Sequence, residues 1–599
     1  MRTFKTRAIV AGAAVLALTG AGIAPAAAGT SHGDAKVPVA KGYGGAVSTV
    51  DLDATKAGIE VLRKGGNAVD AAVAAAATLG VTEPFSAGIG GGGFFVYYNA
   101  RSGKVSTIDG RETAPRSATD QLFVDPATGL PLAFNDARGS GLSVGTPGTP
   151  LTWQRALDKW GTWSLRKALK PAIKVADKGF LVDATFASQV NENKALFGDF
   201  VPTRELYLPG GSAPAVGSVF TNPDMADTYQ QIADRGVRTI YGGQLGKEIV
   251  EAVQHPPVAP ETTRNVRAGD LSIRDLANYK APLREPTRVR YHGLDVFSMG
   301  PPSSGGSTVG EILNILEASD TPDETSVLHA YIEAASLAFA DRNRYVGDSD
   351  FVDVPLRQLL SQGFADERAC LIDPARALPK PLAPGVPDGR YSGCGQQAAK
   401  ETGKQNDGQS TTHLTTSDRW GNVVSYTLTI EATGGSGIVV PGRGFLLNNE
   451  LTDFNFTPTQ GDAFDPNLPG PNKRPRSSMS PTIVLKNGKP FVALGSPGGA
   501  TIIGTVSQTL VNRVDLDMTL PEALAAPRVS ARNAVTQAEP AFIASPVGQA
   551  LVAKQHVFSS VAEIGAATAI EFGRHGFVTS VAEPTRRGGG SAMVAWPVK

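Results

Sequence analysis

The sequence predicts an α/β protein, either one large α/β body or two to four domains. Three observations carry this. At 599 residues the chain is too long for one simple core. Stretches with a helical pattern alternate along it with strand-like stretches rich in Val, Thr, Tyr and Phe. The stretch around which the rest is organised, residues 409–430, reads as two strands and a tight turn. In it, 411–417 is rich in Thr and 423–430 alternates with a period of two, while Asp418-Arg419-Trp420-Gly421-Asn422 supplies turn chemistry. A plain surface hairpin would share that pattern, so the motifs that follow it decide its meaning.

Residues 1–28 read as a targeting segment. Arg2, Lys5 and Arg7 form a positive start, 8–23 are apolar, and Ala26-Ala27-Ala28 offers small residues for cleavage. The apolar run is short for a membrane span and has no second like it. No cysteine lies near the cut to carry a lipid. The expectation is a secreted, extracellular protein with no membrane anchor once the segment is removed. A formal net charge of zero gives no sign of nucleic-acid or anionic-membrane binding. The seven histidines are scattered, without His-Glu-x-x-His or a Cys/His cluster, so no metal and no cofactor are expected. The two cysteines, Cys370 and Cys394, either pair or remain two thiols; export into an oxidising compartment favours pairing.

Taken in order, 29–45 look like a loose lead-in. Residues 52–64 then form a helix stopped by Gly65-Gly66, and a second helix, almost all Ala and Val, runs from about Asn67 to Leu79. A helix apolar on every side is a buried one. Four glycines, Gly90 to Gly93, precede a strand at 94–98; they allow close backbone approach, but no Gly-Lys-Ser/Thr follows to make a P-loop. The next strand, 105–108, runs into Asp109-Gly110-Arg111-Glu112-Thr113, which places Arg111 at a strand edge. Gly141-Leu142-Ser143-Val144-Gly145 spells a nucleophile elbow, but without a strand before it or helix-forming residues after it, it reads as a loop. A helix follows near 151–159, and 160–290 are mostly helical. A strand pair at 288–299 leads through Gly300-Pro301-Pro302-Ser303-Ser304-Gly305-Gly306 to helices at 307–318 and 327–344. Residues 372–410, rich in Pro, Gly, Gln, Lys and Ser, read as an exposed flexible segment that stops at Thr411. A loose segment ending at a strand that begins with Thr is what a self-cleaving precursor needs.

The motifs at 66–70, 87–115, 300–306, 329–343, 411–453, 471–481 and 495–499, in this order, resemble the γ-glutamyltransferase (γ-glutamyltranspeptidase) family of N-terminal-nucleophile hydrolases. The resemblance implies a four-layer αββα sandwich, self-cleaved between Ser410 and Thr411 into a large subunit (29–410) and a small catalytic subunit (411–599) that stay together as a heterodimer. It makes Thr411 the nucleophile and Thr429 its hydrogen-bonding partner. It puts Gly498 and Gly499 in the oxyanion hole, where bare backbone N–H groups must come close to the tetrahedral oxygen. Arg111, Ser477 and Ser478 match the residues that hold the substrate's α-carboxylate. Asp453, Glu450 and Glu431 match those around its α-ammonium. A threonine hydroxyl needs a base beside it; as the first residue, Thr411 carries its own in an α-amino group of pKa about 7.7–8.0.

The implied activity is a secreted γ-glutamyltransferase/hydrolase. It would take the γ-glutamyl group of glutathione or glutamine onto Thr411 and pass it to water, amino acids or peptides. A related acylase or poly-γ-glutamate depolymerase is the alternative, and an unprocessed extracellular binding protein a third. The chain departs from the family on the acceptor side. Glu431 replaces a frequent asparagine, Ala432-Thr433-Gly434-Gly435 lacks a bulky aromatic, and 454–470 holds no tyrosine to act as a lid.

Overall fold

Strand faces that alternate between two apolar cores set the architecture. The computed structural model describes residues 35–395, 397–398 and 410–598. The expected targeting segment, 1–28, lies outside the described residues. In chain order, β1 (Val39–Thr49) precedes α1 (Leu52–Arg63) and α2 (Ala68–Thr82). The chain continues through β2 (Gly92–Asn99), β3 (Lys104–Gly110) and α3 (Thr149–Trp160). Short helices fill most of the way to β4 (Leu283–Arg284), β5 (Thr287–Tyr291) and β6 (Leu294–Ser298). Then come α4 (Gly305–Glu317) and α5 (Glu324–Tyr345). After Thr411 the chain forms β7 (Thr412–Asp418), β8 (Val423–Thr429), β9 (Thr482–Lys486) and β10 (Lys489–Gly495). It ends with α6 (Thr501–Val514), β11 (Thr568–Phe572), β12 (Val578–Ala582) and β13 (Ser591–Pro597).

The strands join in the order β4-β3-β2-β8-β7-β1-β12-β11-β10-β9-β6-β5, with β13 also on β1, and the pairs are antiparallel. The ladder turns over at β1, so its two halves lie face to face. Ser425 Oγ on β8 donates to the Leu494 carbonyl on β10 at 3.0 Å, and Thr415 Oγ1 on β7 reaches the Thr568 carbonyl on β11 at 3.5 Å. Between the halves, His413 sits 2.8 Å from Thr427 Oγ1, and burial drives its pKa down to about 3. On β2 the alternation is direct. Phe95 and Tyr97 join the core of α2 and α3, while Phe94, Val96 and Tyr98 join the core of α4, α5 and α6. Helices therefore cover the outer face of each β layer, giving a four-layer αββα sandwich.

Local chemistry fixes the centre. Asn67 and Asp70 form a capping box at the start of α2, and every residue of that helix is buried. Asp418, in the β7–β8 turn, accepts from the Ala68 N–H at 2.9 Å and from Trp420 N–H at 2.9 Å, so one carboxylate ties hairpin to helix. Gly421 takes φ 86° in that turn. The lead-in expected at 29–45 is corrected: from Val39 onward it is the central strand β1. Its glycines serve close approach. Gly45, at φ 103°, leaves no room for a Cβ against the Ser417 carbonyl, where β1 shifts register and changes partners.

The flexible segment expected over 372–410 does not fit its described first part. Gly385 N–H donates to Asp341, Tyr345 Oη donates to the Gly385 carbonyl at 2.6 Å, and Leu382 N–H donates to Asn533 at 2.6 Å. Cys370 and Cys394 are joined in a disulfide. A composition poor in apolar residues hid these backbone attachments, which leave no periodic pattern. Residues 399–409 lie outside the described set. No helix among the described residues is long and apolar enough to cross a membrane.

Candidate active site

Thr411 stands at the mouth of β7, buried with Ser410 before it. Its hydroxyl points back at the Ser410 carbonyl, and donates to Thr429 Oγ1 at 3.2 Å across the hairpin. Thr429 Oγ1 also accepts the Glu431 N–H at 2.9 Å, which fixes its lone pairs. One pocket is lined by Thr411, Thr429, Arg111, Glu431, Glu450, Asp453, Ser477, Ser478 and Gly499, and also by Arg342 and Arg476. Residues far apart in sequence thus meet around one hydroxyl.

The pocket's two walls differ in charge. One is acidic. Arg111 is fully buried and its fork is turned onto Glu450 and Asp453, with further bonds from Nε to the Pro475 carbonyl at 3.1 Å and from Nη2 to the Arg476 carbonyl at 3.0 Å. The neighbouring carboxylates raise its pKa against burial. The expectation that this fork grips a ligand carboxylate thus requires sharing it with Glu450 and Asp453. Behind it, burial pushes Glu112 up to about 8 and Glu450 well above the usual carboxylate range. Neither oxygen of Glu112 has a hydrogen-bond partner in the structure, nor does Glu450 Oε2. Glu431 is raised by burial and by the charges of Asp453 and Glu450, and its Oε1 also lacks a donor. Its other oxygen accepts from Asn449 Nδ2. Its backbone is left-handed, φ 75°, a conformation that Asn adopts more easily than Glu. A cation entering here meets an unsatisfied acceptor.

The other wall carries hydroxyls and arginines. Ser477 Oγ accepts the Met479 N–H at 3.2 Å, and Ser478 Oγ accepts from Arg342 Nη2 at 2.8 Å. With an acceptor site on each oxygen used, their O–H protons can turn to a ligand. The motif at 300–306 supports them from below: Ser477 N–H donates to the Pro302 carbonyl at 3.0 Å, and Ser304 Oγ donates to the Ser477 carbonyl at 2.7 Å. Gly498 and Gly499 take φ 134° and 56° in the turn before α6. The turn brings backbone to the pocket at a helix start, where partial positive charge suits an oxyanion. A second, larger cavity, about 520 Å³, opens on the other side of this turn; Thr433, Gly498, Ala500, Arg532, Glu563 and Arg587 line part of it. Although 454–470 contains the exposed Phe464, no residue of that loop lines either space.

Sequence reasoning missed Arg342, Arg476, Glu112, Asn449 and Arg587. Arg342 and Arg476 lie inside quoted motifs and could have been weighed for charge. Arg587 carries no local signal.

A family model described as Gamma-glutamyltranspeptidase matches residues 54–593. The chain is 38% identical to the Glutathione hydrolase proenzyme of Bacillus subtilis over 83% of this chain and 84% of that one. It is 34% identical to the Acylase ACY 1 proenzyme of a Pseudomonas species, over 91% and 92%. The crystal structure of cephalosporin acylase from Bacillus halodurans superposes with a TM-score of 0.80 at 29% identity, over 96% of this chain and 100% of that one. Matched along most of its length by both sequence and fold, the chain belongs to the γ-glutamyltranspeptidase family.

Proposed function

We propose that this protein is a γ-glutamyltransferase and hydrolase, exported from the cell, which cuts itself ahead of Thr411 and then uses Thr411 as its nucleophile. The observation that carries the reading is a threonine hydroxyl facing its own preceding carbonyl at the rim of a pocket with one acidic wall and one hydroxyl-and-arginine wall. That division matches a free α-amino acid head group. Glu431 and Asp453 take the ammonium; Ser477 and Ser478, with Arg342 behind Ser478, take the carboxylate. Arg111 holds the acidic wall in place and lends part of its fork to the carboxylate.

Gripped at both charges, a γ-glutamyl donor presents its side-chain amide to Thr411. The α-amino group of the cut chain takes the hydroxyl proton as Thr411 Oγ attacks, and Gly498 and Gly499 N–H groups steady the oxyanion. The proton passes to the leaving amine, and a γ-glutamyl ester on Thr411 remains. Water or an acceptor amine then attacks the ester. The second cavity gives this amine component room.

Turnover of a γ-glutamyl anilide by the purified protein, against Thr411→Ala, tests the reading. The expected result is anilide release by the wild type and none by the variant, which should also remain one uncut chain. Equal turnover by both, or a normally cut variant, refutes it. Acylase-like use of longer donors is the second reading, favoured by the roomy second cavity and the acylase-named relative.

A further inference from the structure

The chain's tail lays a cation across the bond to be cut. Arg587 has φ 52°, in the left-handed region that a long side chain rarely occupies. Its N–H donates to Glu563 Oε2 at 3.0 Å and its carbonyl accepts from Thr185 Oγ1 at 3.0 Å, so neighbours on both sides hold it in that conformation. Backbone strain that is over-determined in this way tends to mark function. The guanidinium it delivers is largely buried. Nη1 donates to the Thr411 carbonyl at 2.9 Å and Nη2 to Ser86 Oγ at 2.9 Å, with Glu83 at 4.0 Å. Ser86 Oγ lies 3.1 Å from Ser410 Oγ, which is also 3.2 Å from the Phe85 carbonyl. One arginine and one serine thus fasten both residues of the Ser410–Thr411 bond.

We propose that Arg587 and Ser86 form a clamp that positions this bond for self-cleavage. The proposal rests on the reading that the chain cuts itself there. In that step Thr411 Oγ adds to the Ser410 carbonyl carbon. The new C–O bond replaces the C–N bond, and the hydroxyl proton ends on the Thr411 nitrogen. The product is an ester with a free amine, and one water then splits the ester to Ser410 carboxylic acid and the Thr411 hydroxyl. Arg587 touches neither the attacking oxygen nor the scissile carbon, so it is a positioning residue. Without it the Thr411 carbonyl can rotate, and the hydroxyl leaves its line over the Ser410 carbonyl. Misplacement by about 1 Å is enough to cost roughly 10²-fold in rate. A lysine can reach one of the two acceptors but not bridge them.

The test follows the fraction cut against time on denaturing gels, for full-length wild type, Arg587→Met, Arg587→Lys, Arg587→Ala and Ser86→Ala, beside thermal melting of each. Arg587→Met should remain folded and cut about 10²-fold more slowly. Arg587→Lys should fall between, and Ser86→Ala should slow cutting about tenfold, the worth of one bond to a charged group. Millimolar methylguanidinium should speed cutting of Arg587→Ala, which a merely structural arginine would not show. Wild-type cutting rates in Arg587→Met and Ser86→Ala overturn the clamp. So does slowing that tracks lost melting temperature, with no rescue by lysine or methylguanidinium. A wild-type chain that never cuts at Ser410–Thr411 overturns the clamp together with the functional reading, whereas normal wild-type cutting with indifferent variants overturns the clamp alone.

Discussion

Replacing Arg111 by lysine separates charge from geometry in the pocket. The native guanidinium serves four acceptors at once: the carboxylates of Glu450 and Asp453 and the carbonyls of Pro475 and Arg476. A lysine keeps the positive charge that balances the acidic wall, so the fold and the cut ahead of Thr411 should persist. Its single nitrogen sits at one point and cannot span four acceptors. At least one charge-assisted bond, worth about 1.5–3 kcal/mol, is lost, and Asp453 swings away from the place where it meets a ligand's ammonium. The expected cost in kcat/KM is about 2–3 kcal/mol, roughly 30- to 150-fold. It should fall chiefly on KM, because these contacts lie away from the amide that is cut. Initial rates with L-γ-glutamyl-p-nitroanilide, on protein whose processed fraction has been checked, give both constants. An unchanged KM would falsify the placing of Arg111 in the donor site; a fall in kcat with KM intact would assign it to the chemistry instead.

Three further outcomes are expected. Burial raises the Glu83 carboxyl from 4.5 to about 7, a shift Arg587 and Lys36 only partly offset. A carboxyl raised in the folded state stabilises fully below its unfolded pKa and loses that contribution as pH rises through the folded one. Melting temperature should therefore decline between these values, and Glu83→Gln should flatten the decline; parallel profiles would contradict this. Reducing the Cys370–Cys394 disulfide, which closes a separation of 24 residues, should cost about 3 kcal/mol by the chain-entropy model. Unchanged unfolding in reductant would show that it constrains little. A γ-linked glutamate tetramer should release glutamate one unit at a time from its amino end, because the proposed site would grip a free head group; dimers appearing first would exclude that mode.

The hairpin 411–430 and helix α2 were legible because their signals are local: alternation with turn residues in one, an unbroken Ala/Val run after Asn67 in the other. Residues 39–45 were not. Glycines that allow β1 to lie against β7, β12 and β13 look the same in sequence as glycines of a loose terminus, and only the partners tell them apart. The pocket shows the same split. Thr411, Ser477, Ser478 and Asp453 lie in motifs dense enough to single out, and the structure brings them together. The turning of Arg111 onto the acidic wall, the closeness of Glu112 to Glu450, and the reach of Arg587 to Thr411 join residues 176 to 342 positions apart. Such contacts leave no periodicity to read.

The proposed mechanism requires Thr411 to become a chain end. Intact-mass analysis of the purified protein, with amino-terminal sequencing of the smaller fragment, measures that directly. Two tightly associated fragments are expected, the smaller beginning Thr411-Thr412-His413-Leu414. A single active chain that keeps the Ser410–Thr411 bond, or a smaller fragment that begins at any other residue, would contradict it.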